Sequence, residues 1–497
     1  MDSYEDVPPT VDCVKRLRHH LATRISSLKP GPGPYLENPF KALALLNRSQ
    51  WLFFSVAFFA WTWDAFDFFT VSLTAKYIAV TLDVSVTQIT WGITLVLMLR
   101  SVGAIIFGIA ADKLGRKWPF IINCALFIVL ELGTGFVQTY KQFLGVRALF
   151  GIAMGGIYGN CAATALEDCP IDARGIISGL LQQGYALGYL FAVMFNRAFT
   201  TTTSHGWRSL FWFGAGPPVL IIVFRLLLGE TETYQAQRHL ERTNAQAEFK
   251  KMALRSMKTH WHVVVYLVIL MAGFNFMSHG SQDLYPTMLD VQLEQSTDKS
   301  TVTMCVANLG AITGGVIIGH ISDRVGRRLS IIVACIIGGA LIYPWAFVRN
   351  NGIMAAVFFL QFMVQGAWGV VPIYLSELSP PALRAFIVGV AYQLGNLASS
   401  ASSTIEATIG ARFPLPDTTT STVKRYDYGK VMAIFMGCVF GFVIIVTIFG
   451  PENRENEMAV DRVFEKQSAE ADLEANVSHD PAKIEKHNLE GEHIEAQ

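Results

Sequence analysis

Three apolar stretches carry side chains that a hydrocarbon environment does not tolerate without a reason. The first reads Trp61-Thr-Trp63-Asp64-Ala-Phe66-Asp67-Phe68, two carboxylates one turn apart among aromatic rings. The second, Leu97-Met-Leu99-Arg100-Ser101, holds a lone guanidinium. The third is the richest: Asn275-Phe-Met-Ser278-His279-Gly-Ser281-Gln282-Asp283-Leu-Tyr285-Pro286-Thr287. At helical spacing Asn275, Ser278, His279 and Gln282 fall at i, i+3, i+4 and i+7 on one face, with Asp283 one turn past His279. Such groups inside apolar spans pair with one another or mark a ligand or ion pathway. Burial penalises a charged carboxylate, so Asp64, Asp67 and Asp283 are candidates to carry a proton, together with His279. A guanidinium's planar fork matches a carboxylate. Arg100 therefore meets either an anionic ligand or a structural aspartate, Asp64 or Asp67, and both readings stay open here.

The elements that must position these residues are membrane helices. Of 497 residues 52% are hydrophobic and only 16% charged, well below the roughly quarter share of a soluble domain. Apolar runs of the ~20 residues needed to cross a bilayer recur along the chain. The pattern predicts an all-α integral membrane protein with spans near 51–78, 87–111, 118–138, 143–165, 174–197 and 208–229. A second set of six follows near 260–288, 301–321, 328–348, 353–376, 383–409 and 430–450. This divides the chain into a tail (1–50), a six-helix bundle (51–229), a polar connector (230–259), a second bundle (260–450) and an acidic tail (451–497) expected to be disordered. Pro286 should disturb the seventh helix near its end. Lys113, Arg116 and Lys117, Arg324, Arg327 and Arg328, and the basic connector lie at one membrane face. The opposite loops hold Asp83, Asp290, Glu294 and Asp298. By the positive-inside rule the basic loops and both termini face the cytoplasm. The 39 basic and 39 acidic residues balance, which gives no reason to expect a nucleic-acid partner.

A motif occurs twice. Gly108-x-x-x-Asp112-Lys113-x-Gly115-Arg116-Lys117 reappears as Gly319-x-x-x-Asp323-Arg324-x-Gly326-Arg327-Arg328, 211 positions on. Glu167-x-x-Pro170-x-x-x-Arg174 reappears as Glu377-x-x-Pro380-x-x-x-Arg384, 210 positions on, and Gln183 and Gln393 share that offset. Gly108 and Gly319 would let helices approach closely. Asp112, Arg116, Glu167 and Arg174, with Asp323, Arg327, Glu377 and Arg384, would form charge clusters that latch an inner gate. The plainer reading is that they only set topology and cap helices; one residue set can do both.

The doubled motif resembles the loop 2–3 signature of the major facilitator superfamily, over about residues 50 to 450. That resemblance implies twelve helices in two pseudo-symmetric six-helix bundles around a cavity open alternately to each side. The run Asn275-x-x-Ser278-His279-x-Ser281-Gln282-Asp283-x-x-x-Thr287 is similar to the helix-seven signature of the fungal Jen-type lactate and carboxylate proton symporters. In that family the signature's histidine and aspartate, here His279 and Asp283, are tied to transport and proton coupling. A buried helix-two arginine maps to Arg100, and a helix-eleven glutamine and asparagine tied to substrate recognition map to Gln393 and Asn396. The resemblance implies a multi-pass plasma-membrane symporter of small carboxylates (lactate, pyruvate, acetate, succinate or malate). It would work as a monomer among membrane lipids, with the proton as coupling ion and no cofactor or metal. The rivals are a sugar or phosphate porter and a non-transporting nutrient sensor. No nucleophile triad, phosphate loop or metal spacing suggests an enzyme.

Overall fold

The computed structural model describes residues 23–24, 26–28 and 38–452, except 85, 171–172, 201, 232–233, 236–245, 351, 380–382, 411 and 417–425. The acidic tail and most of the first tail thus lie outside the described residues. Twelve helical spans make up the described chain. The first six are α1 (Arg48–Leu82), α2 (Val86–Leu114), α3 (Lys117–Phe136), α4 (Tyr140–Leu166), α5 (Arg174–Phe199) and α6 (Trp207–Leu227). The second six are α7 (Gln246–Gln282), α8 (Thr297–Val325), α9 (327–347), α10 (Gly352–Leu378), α11 (384–410) and α12 (Tyr428–Phe449).

Ten are long and apolar enough to cross a membrane; α9, interrupted at Leu341, and α11, interrupted at 400–401, are not among them. The α11 break follows from its serines. Ser399 and Ser400 return their hydroxyls to the carbonyls of Asn396 and Leu397, at 3.2 and 2.7 Å, in competition with the helical ladder. The seventh span ends its regular helix at Gln282 and continues as a short turn, Tyr285–Thr287, and a π turn, Met288–Gln292, around Pro286. Helix starts are set locally. Asn47 and Gln50 exchange backbone bonds of 2.8 Å each before α1, and Thr139 with Gln142 does the same before α4.

The two halves repeat the same packing. A Cβ on Gly155 would lie 2.0 Å from the Arg100 carbonyl oxygen, and one on Gly314 would lie 2.0 Å from that of Phe362, so α2–α4 and α8–α10 touch backbone to backbone. Gly115 and Gly326 make the turn out of α2 and α8 at φ of 97° and 104°, a conformation that side chains resist. Asp112 and Asp323 each sit inside the final helical turn, two residues before Leu114 and Val325.

Candidate functional site

Side chains from both halves converge on a central cavity of about 10 Å³, room for roughly one water. Phe68, Arg100, Gln182 and Tyr185 line it from the first half. Asn275, Ser278, His279, Gln365, Trp368, Tyr392 and Asn396 line it from the second. Toward the end with the basic loops it is floored by aromatic rings: Tyr158 of α4 stacks on Tyr392 of α11 at 3.9 Å, and Trp61 of α1 meets Tyr392 edge-on at 5.8 Å.

Arg100 is buried and incompletely used. Its Nη2 lies 3.6 Å from Asp64 Oδ2 and donates to Met154 Sδ at 3.0 Å, while Phe68 lies under the guanidinium at 4.9 Å. Thioether sulfur is a weak acceptor. The Arg100 Nε hydrogen has no acceptor. The geometry joins the two sequence alternatives: one face of Arg100 leans on Asp64, the other lines the cavity. Asp67 does not share that pair. It is fully buried with neither oxygen hydrogen-bonded, in the electrostatic company of Glu131, Asp64 and Arg147.

His279 is held from both sides. Its Nδ1 lies 3.1 Å from Asp283 Oδ2 and its Nε2 3.4 Å from Asn396 Oδ1. Asn396 is fixed in turn, since its amide donates to Gln393 Oε1 at 2.9 Å. With an acceptor at each ring nitrogen, the imidazole can take a proton on one side and give one on the other. The approach of α7 to α11 depends on Gly395, where a Cβ would lie 2.6 Å from the Met271 carbonyl carbon.

The single stripe expected on α7 divides. Asn275, Ser278 and His279 face the central cavity, whereas Gln282 donates to Gln361 Oε1 at 3.1 Å and lines a second small cavity with Tyr189, Ser281 and Tyr285. Gln393 stands behind Asn396 rather than in the cavity lining. On α5 the repeat pointed to Gln183, but Gln182 is the residue that lines the cavity, while Gln183 lies against Gly315 of α8. Glu131 and Arg147 escaped the sequence reading. They lie 3.7 Å apart, fully buried in α3 and α4, and their signal was a single charge in each apolar run.

At the basic end the repeated motifs build two matching clusters. Arg116 bonds Asp112 at 2.5 Å and Glu167 at 2.7 Å; Arg327 bonds Asp323 and Glu377 at 2.8 Å each. Each cluster also reaches the other half. Asp112 accepts the Phe386 N–H at 3.0 Å, and Asp323 packs against Gly175, where a Cβ would lie 2.3 Å from its Oδ2. Arg174 acts electrostatically on Glu377 and Asp323, and Arg384 on Glu167 and Asp112. These bonds tie the halves together, so this end is shut. Glu230 and Glu452, also passed over in the sequence, cap the first turns beyond the loops. Glu230 accepts from the Arg116 and Lys117 amides at 3.0 Å each, and Glu452 from those of Arg327 and Arg328 at 2.6 and 3.2 Å. Glu230→Ala and Glu452→Ala should each cost about 1 kcal/mol, read as a lowered thermal midpoint of the detergent-purified protein. An unchanged midpoint would mean that water caps these turns as well.

The comparisons with known proteins agree with this architecture. The model of the family described as sugar (and other) transporter matches residues 49–464. A carboxylic acid transporter protein homolog of Saccharomyces cerevisiae is 43% identical over 439 residues, covering 85% of this chain and 71% of its own. The cis,cis-muconate transport protein of Acinetobacter baylyi is 26% identical, covering 72% and 86%. The proton:xylose symporter XylE shares the fold, with a TM-score of 0.68 at 17% identity over 84% of this chain and 99% of that one. Relatives and fold are those of transporters, not enzymes. This chain belongs to the sugar (and other) transporter family and is a multi-pass membrane transporter with the major facilitator fold.

Proposed function

We propose that this protein carries small carboxylates, such as lactate, pyruvate, acetate or a short dicarboxylate, together with protons across the plasma membrane by alternating access. The observation that carries the reading is one cavity with the Arg100 guanidinium on one half and the Asp283–His279–Asn396 chain on the other. The 43% identity to a carboxylic acid transporter homolog supports the substrate class. The basic end and both termini face the cytoplasm, so the shut end is the inner gate. The protein works as a monomer, with the proton as coupling ion and no other cofactor.

In this mechanism the anion enters beside Arg100 and competes with Asp64 for the guanidinium. The loose 3.6 Å pair yields, and the released Asp64 becomes a proton acceptor in a dry site. Asn275 and Asn396 supply amide contacts, and His279 with Asp283 takes up or returns the proton. A monoanion moving with one proton crosses as a neutral complex. That avoids a membrane-potential cost of about 2.3 kcal/mol per charge per 100 mV. A cavity this small must widen as substrate enters, and the same motion loosens the aromatic floor.

The test is uptake of radiolabelled lactate and succinate in cells lacking their own carboxylate carriers, at acidic and neutral outside pH, with an uncoupler control. Saturable uptake that rises in acid and collapses with the uncoupler is expected. No uptake of either acid, with the protein present at the surface, would overturn the reading and favour a sensor or a porter for another substrate.

A further inference from the structure

The polar groups lining the central cavity divide into those already spent and those left over. On α7 and α11 they are spent on neighbours. Asn275 donates to the Met271 carbonyl at 2.9 Å and Ser278 to Gln282 Oε1 at 3.4 Å, while His279 and Asn396 are held in the chain described above. On α10 they are not. Gln365 and Trp368 are buried and line the cavity, and among the described residues neither Gln365 Oε1 nor Trp368 Nε1 has a hydrogen-bond partner. An unpaired buried polar atom opposes folding, so each such atom calls for a reason. Two of them turned to one cavity point to a ligand that would pair them.

Packing holds this pair in place. Gln365 and Trp368 stand three residues apart in α10, hence on one helix face. The Trp368 ring is wedged edge-on between Phe274 of α7 at 5.3 Å and Tyr392 of α11 at 5.7 Å. α10 itself is pressed on α8, where a Cβ at Gly369 would lie 2.2 Å from the Gly315 carbonyl oxygen. This face therefore presents a donor and an acceptor side by side. From the other half Arg100 adds an unpaired Nε hydrogen. The two donors, one of them charged, suit the oxygens of a carboxylate. A carboxylate brings no hydrogen, so it leaves Gln365 Oε1 unanswered. A hydroxyl answers it. In a 2-hydroxy acid the hydroxyl stands on the carbon next to the carboxylate, a donor beside an acceptor, which is the complement of the α10 pair. Gln182 Oε1 is unpaired as well, but of the helices lining the cavity only α10 joins an unpaired acceptor to an unpaired donor on its lining face, among the described residues.

We infer that Gln365 of α10 is a specificity residue that reads a hydroxyl beside the substrate's carboxylate, with Trp368 donating to that carboxylate. The cavity then favours 2-hydroxy acids over unsubstituted acids of the same length. The inference rests on the carboxylate reading above and narrows it. It holds for either chain length, since lactate and malate both carry the hydroxyl next to a carboxylate and propionate and succinate lack it.

Those two pairs of acids supply the test. Unlabelled lactate and propionate compete for labelled lactate, and malate and succinate for labelled malate, on the full-length protein purified in detergent. With no membrane present, free diffusion of the acids does not enter the reading. The native protein should bind the hydroxy acid of the pair it accepts about tenfold more tightly than its partner. Gln365→Leu should bring that ratio within about twofold, by weakening the hydroxy acid and leaving the other nearly unchanged. Trp368→Phe, which removes the indole N–H, should weaken both acids alike and keep the ratio. A native ratio near one would overturn the inference without any variant, so a variant that misfolds does not shield it. A native ratio kept in Gln365→Leu would overturn it too, as would an advantage lost only in Gln182→Leu. If none of the four acids binds, the carboxylate reading itself falls. Binding without a hydroxyl advantage leaves that reading standing and removes this inference alone.

Discussion

Arg100→Ala abolishes carboxylate uptake, and uptake stays lost when Asp64 is changed to Asn in the same chain: that is the expected result. Removing one buried partner of a charge costs about 2–5 kcal/mol, so the loss should be from about thirtyfold to a few thousandfold. The single variant alone would be ambiguous. It leaves Asp64 buried without its cation, and a misfolded protein would give the same silence. The double variant removes both charges, so it relieves that burial cost. If Arg100 served only as counter-ion to Asp64, uptake would return, and the anion-binding role would be refuted. If Arg100 receives the substrate, the double variant reaches the surface in normal amount and still carries nothing. Arg100→Lys should recover little, because a point charge on a flexible stem cannot offer the two parallel donors of the fork.

The second large effect lies at the shut, basic end. Gly319→Leu should block turnover by holding the basic end apart. A Cβ at Gly319 would stand 2.8 Å from the Gly179 Cα and 3.0 Å from the Gly175 carbonyl oxygen, on the other half of the molecule. Both are backbone atoms of α5 and cannot swing aside. Overpacking of about 1–3 kcal/mol would shift the closed–open balance by roughly 5- to 150-fold toward open. Opening also separates Asp323 from Gly175, against which it packs, so the penalty reaches the ionic part of the latch. Gly108, where a Cβ would lie 3.0 Å from the Phe386 Cα, should behave alike. The measurement is reaction of a cysteine placed below the Tyr158–Tyr392 floor with an impermeant thiol reagent in inside-out vesicles. Labelling should rise in Gly319→Leu and not in Gly441→Leu, whose Cβ direction is open space. Unchanged labelling with lost uptake would mean that the glycine serves folding rather than the gate.

What could be read without coordinates was set by local chemistry and the solvent. Long apolar runs can only be helices in a bilayer, because every backbone group must be satisfied within the segment. The doubled motif at one offset then gave two halves, and each charge in an apolar run marked itself by its cost. Arg100, His279 and Asp283 were legible for that reason, as were the arginines and acids of the inner clusters. Where charges were plentiful the signal vanished: Glu230 in the polar connector and Glu452 beside the tail look like any solvated glutamate. Partners were not legible at all. Whether Arg100 leans on Asp64 or Asp67, whether Gln182 or Gln183 faces inward, and that Gln282 belongs to a second cavity depend on helix rotation. That rotation is set by backbone contacts such as Gly155 on Arg100 and Gly395 on Met271, between residues far apart in the chain. The sequence by itself determined which residues had to be buried at a cost. Only the tertiary structure decided which neighbours offset that cost, because a buried charge is paired by whatever packing brings within about 4 Å of it, and sequence distance does not measure that.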